Sequence, residues 1–387
     1  MYHVKLYNKI SQIGLDGLAA EKYVYGEELE NYDAILVRSA KLHDVQFPEG
    51  LKCIARAGAG VNNIPVDRCS SEGIVVFNTP GANANAVKEL VICALLLASR
   101  KVVQGANWVS SLKGTPDIGP AAEKGKATYA GPEIAGKRLG IIGLGAIGVK
   151  VANAAVGLDM EVWGYDPYLS VDGALALSRS VKHVTDIKDI FASCDYITIH
   201  VPLTPDTKHT ISAETIAQMK DGVRIINLAR GELADEQAVA AALESGKIAA
   251  YVSDFASDCI LAQQNAITLP HLGASTPESE DNCAKMAVYE ITEYLEKGTI
   301  RNSINFPNLK VPYEGGYRIC MIHKNAQGII GSVTNVLAQS GANIENMGNR
   351  SKGDYAYTIM DVSVAPTESV LSTIKNIDGI ISVRTIQ

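Results

Sequence analysis

Short apolar runs alternate with polar and glycine-rich stretches through the first 80 residues of the chain. Ala34–Arg38, Cys53–Ala57 and Ile74–Asn78 are compact apolar runs. Continuous runs of this length are typical of parallel strands that are buried on both faces. The stretch Ala84–Ser110, rich in Ala, Leu and Val, predicts one long helix. Residues 113–136 contain three prolines and five glycines and therefore predict a loop or linker.

A second alternation of strands and helices follows this loop and predicts a doubly wound parallel sheet. Its apolar strands are predicted at Arg138–Ile142, Glu161–Tyr165, Tyr196–His200, Arg224–Leu228, Ala249–Ser253 and Ala266–Leu269.

The last part of the chain has a different pattern, which predicts strands and helices in the order βαββαβ, a ferredoxin-like unit. The fold class is therefore α/β, with two Rossmann-like doubly wound parallel sheets and a C-terminal βαββαβ unit. So small a unit buries little surface by itself. We expect it either to pair with a copy of itself or to dock on the rest of the chain.

Composition excludes several classes of protein. With 47% hydrophobic and 20% charged residues, the 387-residue chain is neither disordered nor collagen-like nor a coiled coil. A net charge of −7 without a basic block argues against nucleic acid as a partner. The longest apolar run, Leu90–Ala98, is too short to span a membrane, and the N-terminus has no apolar signal core. Seven scattered cysteines without a CxxC motif favour a cytoplasmic location, and no metal site is expected.

The sequence GLGAIG at positions 143–148 follows one predicted strand and begins a predicted helix. Gly143 permits a tight turn, Gly145 lets the backbone approach a pyrophosphate, and Gly148 lets helix and strand pack closely. Asp166 ends the next strand, 18 residues beyond Gly148. Its carboxylate can accept hydrogen bonds from ribose hydroxyls and would repel a 2′-phosphate, so NAD is favoured over NADP. The alternative is a glycine-rich turn without a ligand.

Polar residues follow several predicted strands at the carboxyl end, where open α/β sheets bind ligands. In the second sheet these are Asp166, His200, Arg230, Asp254 and His271, and in the first they are Arg56 and Asn78–Thr79. Histidine suits a base that takes the proton of an alcohol, because it titrates near neutral pH. Arginine can bind a carboxylate through two hydrogen bonds. The combination favours hydride transfer from a small hydroxy acid.

The chain resembles the D-2-hydroxyacid dehydrogenase family over nearly all of residues 1–306, and six motifs carry this resemblance. They are RAGAGVNN (56–63), NTPGANANAVKEL (78–90), GLGAIG (143–148), HVPLTPDT (200–207), INLARGELADEQA (226–238) and PHLGAST (270–276). The resemblance implies a substrate-binding domain at residues 1–98, to which residues 275–306 return, and an NAD-binding domain at residues 99–274. A linker at 307–316 and a further domain at 317–387 would follow.

The resemblance also implies roles for individual residues. Arg230 would bind the substrate carboxylate, His271 would transfer the proton, and Asp254 would contact the nicotinamide carboxamide. The residues expected to bind NAD are Gly143, Gly145, Ala146, Ile147, Gly148, Asp166, His200, Pro202, Thr207, Ala229, Asp254, His271 and Gly273. Those expected to bind substrate are Arg56 and Thr79 near a phosphate, the backbone amides of Ala57, Gly58 and Ala59, and Arg230.

Residues 323–344 resemble an ACT domain. Members of the family with such a domain oxidise 3-phospho-D-glycerate to 3-phosphohydroxypyruvate, the first step of L-serine biosynthesis, and bind serine between ACT domains. The effector residues would be His323, Asn325 and Asn343, although Gln327 replaces the usual proline before Gly328. The resemblance further implies self-association as a dimer or tetramer.

One position departs from the family pattern. The glutamate that normally pairs with the histidine is Cys259 here, and residues 246–276 contain no glutamate. Asp258 would serve in its place if the loop shifts by one residue, or His271 works without a carboxylate. Two other functions therefore stay open. The chain could act on another D-2-hydroxy acid, such as glycerate or 2-hydroxyglutarate, or it could be a catalytically weak NAD-sensing scaffold.

Overall fold

The computed structural model describes residues 1–387, which form two compact units. The first unit comprises Met1–Asn83 and Pro277–Gln387, and the second comprises Ala84–Thr276. Each unit is described by itself below.

A five-stranded parallel sheet forms the N-terminal part of the first unit, in the order β2-β1-β3-β4-β5. The three apolar runs of the sequence form adjacent parallel strands, as predicted; they are β3, β4 and β5, of which β5 lies at the edge of the sheet and β3 is fully buried. The strands are β1 (Tyr2–Tyr7), β2 (Tyr23–Gly26), β3 (Ala34–Val37), β4 (Cys53–Arg56) and β5 (Val75–Asn78), and the helices are α1 (Gln12–Leu15) and α2 (Val66–Ser71).

The second unit begins with helices that correct two predictions. The single helix predicted over 84–110 is wrong, because the chain turns after Ser99, where the Val102 N–H donates to the Arg100 carbonyl at 2.6 Å. The loop predicted over 113–136 is also wrong in part, since Ala-Ala-Glu-Lys at 121–124 favours a helix despite the flanking glycines. The helices are α3 (Ala84–Ser99), α4 (Val102–Ser111), α5 (Ile118–Gly125) and a 3₁₀ turn at Lys126–Tyr129.

A seven-stranded parallel sheet forms the body of this unit, in the order β12-β11-β10-β9-β6-β7-β8. The six predicted strands are present, and the sequence pattern missed only the short, largely exposed β8. The strands are β6 (Arg138–Ile142), β7 (Glu161–Tyr165), β8 (Lys182–Val184), β9 (Tyr196–Ile199), β10 (Val223–Asn227), β11 (Ile248–Ser253) and β12 (Ala266–Thr268). The helices are α6 (Ala146–Val156), α7 (Val171–Ala176), α8 (Ile187–Ser193), α9 (Ala213–Gln218), α10 (Glu236–Glu244) and α11 (Asp258–Leu261), with a 3₁₀ turn at Gly231–Leu233.

Helix α3 lies with the seven-stranded sheet. Its residues Val87, Val91 and Leu95 belong to the same buried cluster as Leu139 of β6. The chain therefore passes between the two units at 83/84, before the predicted boundary at 98, because the apolar face of this helix packs on the sheet that follows it.

The rest of the first unit is a long helix and an antiparallel sheet. The sheet order is β14-β15-β13-β16, and with its two helices it has the predicted βαββαβ arrangement. The elements are α12 (Pro277–Lys297), β13 (Tyr317–Lys324), α13 (Ile329–Gln339), β14 (Ile344–Lys352), β15 (Tyr355–Val362), α14 (Glu368–Lys375) and β16 (Ile380–Ile386).

The C-terminal sheet docks on its host, which is one of the two arrangements expected. One face, with Ile319 and Met321, packs on α13 and α14. The other face, with Cys320, shares one buried cluster with α12 and the five-stranded sheet. Tyr357 of β15 donates its hydroxyl to the Gly298 carbonyl at 2.7 Å. Arg384 of β16 donates to the last carbonyls of α12, so the sheet is held by polar contacts as well as apolar ones.

The helices are all too short or too polar to cross a membrane. The seven cysteines are all free thiols.

Candidate active site on the seven-stranded sheet

The polar residues predicted to act together lie at one edge of the seven-stranded sheet. All its strands are parallel, so their carboxyl ends meet at one edge. From one side to the other this edge carries His271, Asp254, Arg230, His200, the 143–148 loop and Asp166, following β12, β11, β10, β9, β6 and β7 respectively. At about 4.8 Å per strand, β10 and β12 are about 10 Å apart. The strand order reverses between β6 and β9, where such sheets bind nucleotides.

The loop at 143–148 has the shape that a pyrophosphate requires. Gly143 adopts φ +96°, and a Cβ there would lie 2.6 Å from the His200 carbonyl oxygen. A Cβ at Gly148 would overlap the Gly143 carbonyl, whereas one at Gly145 would meet nothing within 4 Å. Gly145 caps α6 without a side-chain hydrogen bond, so the first N–H groups of this helix have no partner within it. The residues present therefore fit a bound phosphate group.

Asp166 is fixed at the end of β7 by two backbone amides. Its Oδ2 accepts from the Leu144 N–H and its Oδ1 from the Tyr168 N–H, both at 2.8 Å. Each carboxylate oxygen retains a lone pair for a further donor. The carboxylate is therefore positioned beside the glycine loop and is suited to accept from ribose hydroxyls.

The segment after β9 holds the residues predicted to line the adenosine side. Burial lowers the pKa of His200 to about 4, so its ring is neutral at physiological pH, and the ring nitrogen Nε2 lies 3.0 Å from Thr198 Oγ1. The Thr207 hydroxyl donates to the Pro202 carbonyl at 2.6 Å and accepts from the Thr204 N–H at 2.8 Å. Thr207 therefore shapes this loop through its own hydroxyl.

Arg230 is exposed, and its backbone is held by a residue that the sequence analysis did not select. Asn227, fully buried at the end of β10, donates from Nδ2 to the Arg230 carbonyl at 2.8 Å. Asn227 Oδ1 accepts from the Ala229 N–H at 3.2 Å. The available signal was a polar amide that ends an otherwise apolar strand directly before Leu-Ala-Arg.

His271 lies in a turn that Asp254 holds. Asp254 is 1% exposed, and its two oxygens accept the N–H groups of Leu272 and Gly273, each at 2.7 Å. His271 itself has φ +54°, and its exposed ring packs edge-to-face on Phe255 at a centroid distance of 5.1 Å. Asp254 and Phe255 thus fix the backbone and the ring of the predicted proton-transfer residue. Phe255 was not predicted.

The structure does not pair His271 with a carboxylate within its own unit. Asp258 is an exposed residue at the start of α11 and forms no hydrogen bond with the His271 ring. Cys259, at the position of the expected glutamate, donates its thiol to the Glu236 carbonyl at 3.7 Å. The role of Asp258 therefore stays a prediction.

The residues predicted to bind substrate in the first unit lie after β4 and β5. Arg56 donates from Nε to the Arg38 carbonyl at 2.9 Å and from Nη1 to the Gly60 carbonyl, so its guanidinium already braces the turn that follows β4. Thr79 is fully buried, and its N–H donates to the Gly58 carbonyl at 3.1 Å.

Two of the three backbone amides in this turn that were predicted to bind substrate already donate to backbone carbonyls. The Ala57 N–H donates to the Val37 carbonyl and the Gly58 N–H to the Arg56 carbonyl, each at 2.8 Å. Of the three amides, only that of Ala59 makes no backbone hydrogen bond. The tight turn itself thus uses two of the donors that were predicted to bind a carboxylate.

The three predicted effector residues do not come together in one copy of the C-terminal sheet. His323 is buried near one end of β13, where its ring nitrogens lie 2.7 Å from the Lys324 carbonyl and 2.9 Å from Thr358 Oγ1. Asn325 follows it. Asn343 precedes β14 at the opposite end of the sheet, since Ile344 pairs with Val362, the partner of Tyr317. Tyr317 and His323 are six residue steps apart along β13, or about 20 Å.

Comparison with known proteins gives a consistent result. Residues 92–273 match the model of the D-isomer specific 2-hydroxyacid dehydrogenase NAD binding domain. The chain is 31% identical to a D-3-phosphoglycerate dehydrogenase of Haemophilus influenzae, covering 84% of this chain and 78% of that protein. It is 36% identical to the D-3-phosphoglycerate dehydrogenase of Methanocaldococcus jannaschii, covering 79% of this chain but only 58% of that longer protein. The crystal structure of 3-phosphoglycerate dehydrogenase of Entamoeba histolytica with NAD+ matches with a TM-score of 0.60 and 27% identity, covering 80% of this chain and 99% of that one.

Proposed function

Since this chain belongs to the D-isomer specific 2-hydroxyacid dehydrogenase family, we propose that it is an NAD-dependent dehydrogenase that oxidises 3-phospho-D-glycerate to 3-phosphohydroxypyruvate. One observation carries the proposal: a phosphate-shaped glycine loop, an anchored Asp166, Arg230 and His271 share one sheet edge. The names of the relatives from Haemophilus influenzae and Methanocaldococcus jannaschii support the choice of substrate.

Oxidation of an alcohol to a ketone removes one hydride from carbon and one proton from oxygen. His271 takes the hydroxyl proton on a ring nitrogen. Arg230 binds the carboxylate through its fork of N–H donors and polarises the oxygen that becomes the carbonyl. NAD, when bound, supplies the hydride acceptor. Asp254 and Phe255 hold His271 in place during the reaction, and Asn227 does the same for the backbone of Arg230.

The cofactor would be held by the remaining residues of the same edge. The first amides of α6, at Ala146 and Ile147, face the open position at Gly145 and would bind the pyrophosphate. Asp166 would accept from the ribose hydroxyls. A 2′-phosphate would meet the negative charge of this carboxylate, so NAD is favoured over NADP.

Arg56 and Thr79 would lie near the phosphate of the substrate.

The proposal also includes partners other than the substrate. L-serine would act as an effector through His323, Asn325 and Asn343. Because these residues lie at opposite ends of one sheet, such a site would combine two copies of the chain, in a dimer or tetramer.

The decisive measurement is NADH formation from NAD and 3-phospho-D-glycerate by the full chain, followed by absorbance. We expect turnover that depends on the phosphate, with D-glycerate and D-2-hydroxyglutarate as comparison substrates. The variants His271→Asn and Arg230→Ala should each lose about 10²- to 10⁴-fold in kcat while NAD still binds.

A matched control is His209→Asn. His209 is another exposed histidine of the same unit with positive φ, +55°, which asparagine tolerates well. It should keep normal turnover. NAD binding without turnover of any of the three acids would favour the sensing scaffold, and near-normal turnover of either active-site variant would refute the assigned roles.

A further inference from the structure

Phe255 follows β11 at the sheet edge, and its backbone is fixed by a buried hydroxyl. Ser253, the last residue of β11, is 1% exposed. Its hydroxyl accepts from the Phe255 N–H at 3.1 Å and donates to the Phe255 carbonyl at 3.3 Å. Asp254, between these two residues, accepts from the two amides that follow His271. The half-buried phenylalanine side chain therefore extends from a backbone that is held on both sides.

The side chain of Phe255 contacts both neighbouring turns of the edge. Its ring and that of His271 have centroids 5.1 Å apart and planes inclined by 62°, the edge-to-face geometry that aromatic pairs favour. On the other side lies Gly231, directly after Arg230. A Cβ built on Gly231 would lie 3.4 Å from Phe255 Cβ and 3.6 Å from its Cγ. Phe255 is therefore packed between the turn that carries Arg230 and the turn that carries His271.

The His271 ring has no polar restraint in this structure. The ring is exposed, and neither of its nitrogens forms a hydrogen bond. Cys259, where an acid was expected, donates its thiol to the Glu236 carbonyl. A paired carboxylate would orient the imidazole but would also occupy one ring nitrogen. The contact with Phe255 restrains the ring and leaves both nitrogens free for the substrate and the proton.

We propose that Phe255 is the positioning residue for His271 and orients the imidazole by packing, in place of a paired carboxylate. This inference rests on the proposed dehydrogenase function and concerns the same site. Packing against both turns fixes the imidazole relative to the turn that carries Arg230. Misplacing a reacting group by 1 Å can cost about 10²-fold in rate, so loss of the ring should act on turnover rather than on binding.

Steady-state NADH formation from NAD and 3-phospho-D-glycerate by the full chain tests the proposal. Phe255→Leu keeps an apolar side chain but removes the ring, so kcat should fall about 10- to 100-fold. The KM for the hydroxy acid should change less than about twofold, because Arg230 still binds the carboxylate. Phe255→Tyr retains the ring and should keep kcat within about twofold of the parent value.

Two further variants control this experiment. Tyr289→Leu removes an aromatic ring that is 49% exposed on α12, in the first unit, and should leave both kinetic constants unchanged. Urea unfolding establishes that each variant is folded. Phe255→Met is a second variant without the ring and replaces Phe255→Leu if the leucine variant does not fold.

Nuclear magnetic resonance of the full chain with ¹³C-labelled histidine gives a readout that requires no turnover. The signal of His271 is identified by its loss in His271→Asn. In the parent and in Phe255→Tyr, the ring current of the neighbouring aromatic side chain should separate this signal from that of the exposed His209. In Phe255→Leu the two signals should approach each other.

The outcomes separate this inference from the proposed function. Turnover by the parent with unchanged kcat in Phe255→Leu, an equal loss in Phe255→Tyr, or a loss confined to KM would overturn the role of Phe255 and leave the dehydrogenase function intact. A larger loss of kcat in Asp258→Asn than in Phe255→Leu would also overturn it, because an acid would then orient the histidine. Absence of turnover by the parent chain would refute the dehydrogenase function and this inference with it.

Discussion

The seven-stranded and the four-stranded sheet both carry polar residues at strand ends, but only the first brings its predicted set together. In the parallel sheet, Asp166, Arg230 and His271 follow different strands and reach one edge. In the antiparallel sheet, His323 and Asn343 also lie near strand ends, yet they are at opposite ends of the sheet along the strand direction. The position of each residue relative to its strand decides the outcome. Asp166, Arg230 and His271 all follow parallel strands, whereas His323 lies near the carboxyl end of β13 and Asn343 precedes the amino end of β14, which runs in the same direction as β13.

The two regions also differ in how their polar groups are satisfied. Asp166 and Asp254 accept only backbone amides, from the turns that bear the predicted functional residues. His323 has both ring nitrogens engaged inside the C-terminal sheet. The first arrangement leaves the functional side chains themselves, Arg230 and His271, exposed for a ligand. The second occupies the histidine that was predicted to bind one.

The substitution Gly148→Ala should have the largest effect on the parallel-sheet region. The added Cβ would overlap the Gly143 carbonyl, so α6 would have to move away from the loop. Such overpacking costs about 1–3 kcal/mol or more. We expect a lower midpoint in urea unfolding and at least a 100-fold loss of NAD affinity.

Gly145→Ala is the matched control for this loop. Its Cβ meets no protein atom within 4 Å, so the free energy of unfolding should stay within about 0.5 kcal/mol of the parent value. NAD binding should weaken, because the methyl group fills the space of the pyrophosphate. Equal stability loss in the two variants would contradict the distinct roles assigned to the two glycines.

The acids Asp254 and Asp258 provide the next test, on turnover. Asp254→Asn replaces one of the two acceptor oxygens by an amide, so either the Leu272 or the Gly273 N–H loses its partner and the His271 turn loosens. We expect a loss of about 10- to 100-fold in kcat, with a smaller change in KM for the hydroxy acid. Steady-state kinetics measure both constants.

Asp258→Asn is the comparison for Asp254→Asn. Asp258 is exposed and forms no hydrogen bond with His271, so kcat should change less than about twofold. A loss comparable with that of Asp254→Asn, accompanied by a shift of the pH profile, would identify Asp258 as the acid that orients His271.

Much of this architecture was predictable from sequence, for identifiable reasons. The buried strands form uninterrupted apolar runs, and the glycine loop has a fixed spacing to Asp166. The hydrogen bonds of Asn227 and Asp254 were not predictable, because they depend on which turns lie beside each other after folding. The docking of Arg384 on α12 joins residues 89 and 90 positions apart, and no local pattern encodes such a contact.

The docked C-terminal sheet can be tested through Arg384→Met. Methionine keeps most of the apolar length but removes the hydrogen bonds to the Tyr294 and Leu295 carbonyls and the stacking of the guanidinium on the Tyr294 ring. The Tyr294 carbonyl still accepts from the Gly298 N–H and the Leu295 carbonyl from the Tyr2 hydroxyl, so the variant loses hydrogen bonds from a charged donor, about 1–3 kcal/mol, without leaving these acceptors unpaired. We expect the urea midpoint to fall accordingly, whereas Lys375→Ala, in α14 on the opposite face of the sheet, leaves it unchanged. An unaltered midpoint for Arg384→Met would show that apolar contacts alone hold this sheet on its host.

The smallest expected effect concerns Gly331 in α13, and it is the counterpart of Gly148 in the other region. Gly331 is exposed within the helix, and a Cβ there would meet nothing within 4 Å. Alanine loses less backbone entropy than glycine in a helix, so Gly331→Ala should stabilise the chain by about 0.5–1 kcal/mol, measured by urea unfolding. A destabilised variant, or one with a changed oligomeric state in analytical ultracentrifugation, would mean that another copy of the chain packs on this position. The glycine would then be required by an interface between copies, as Gly148 is required by the loop beneath its helix.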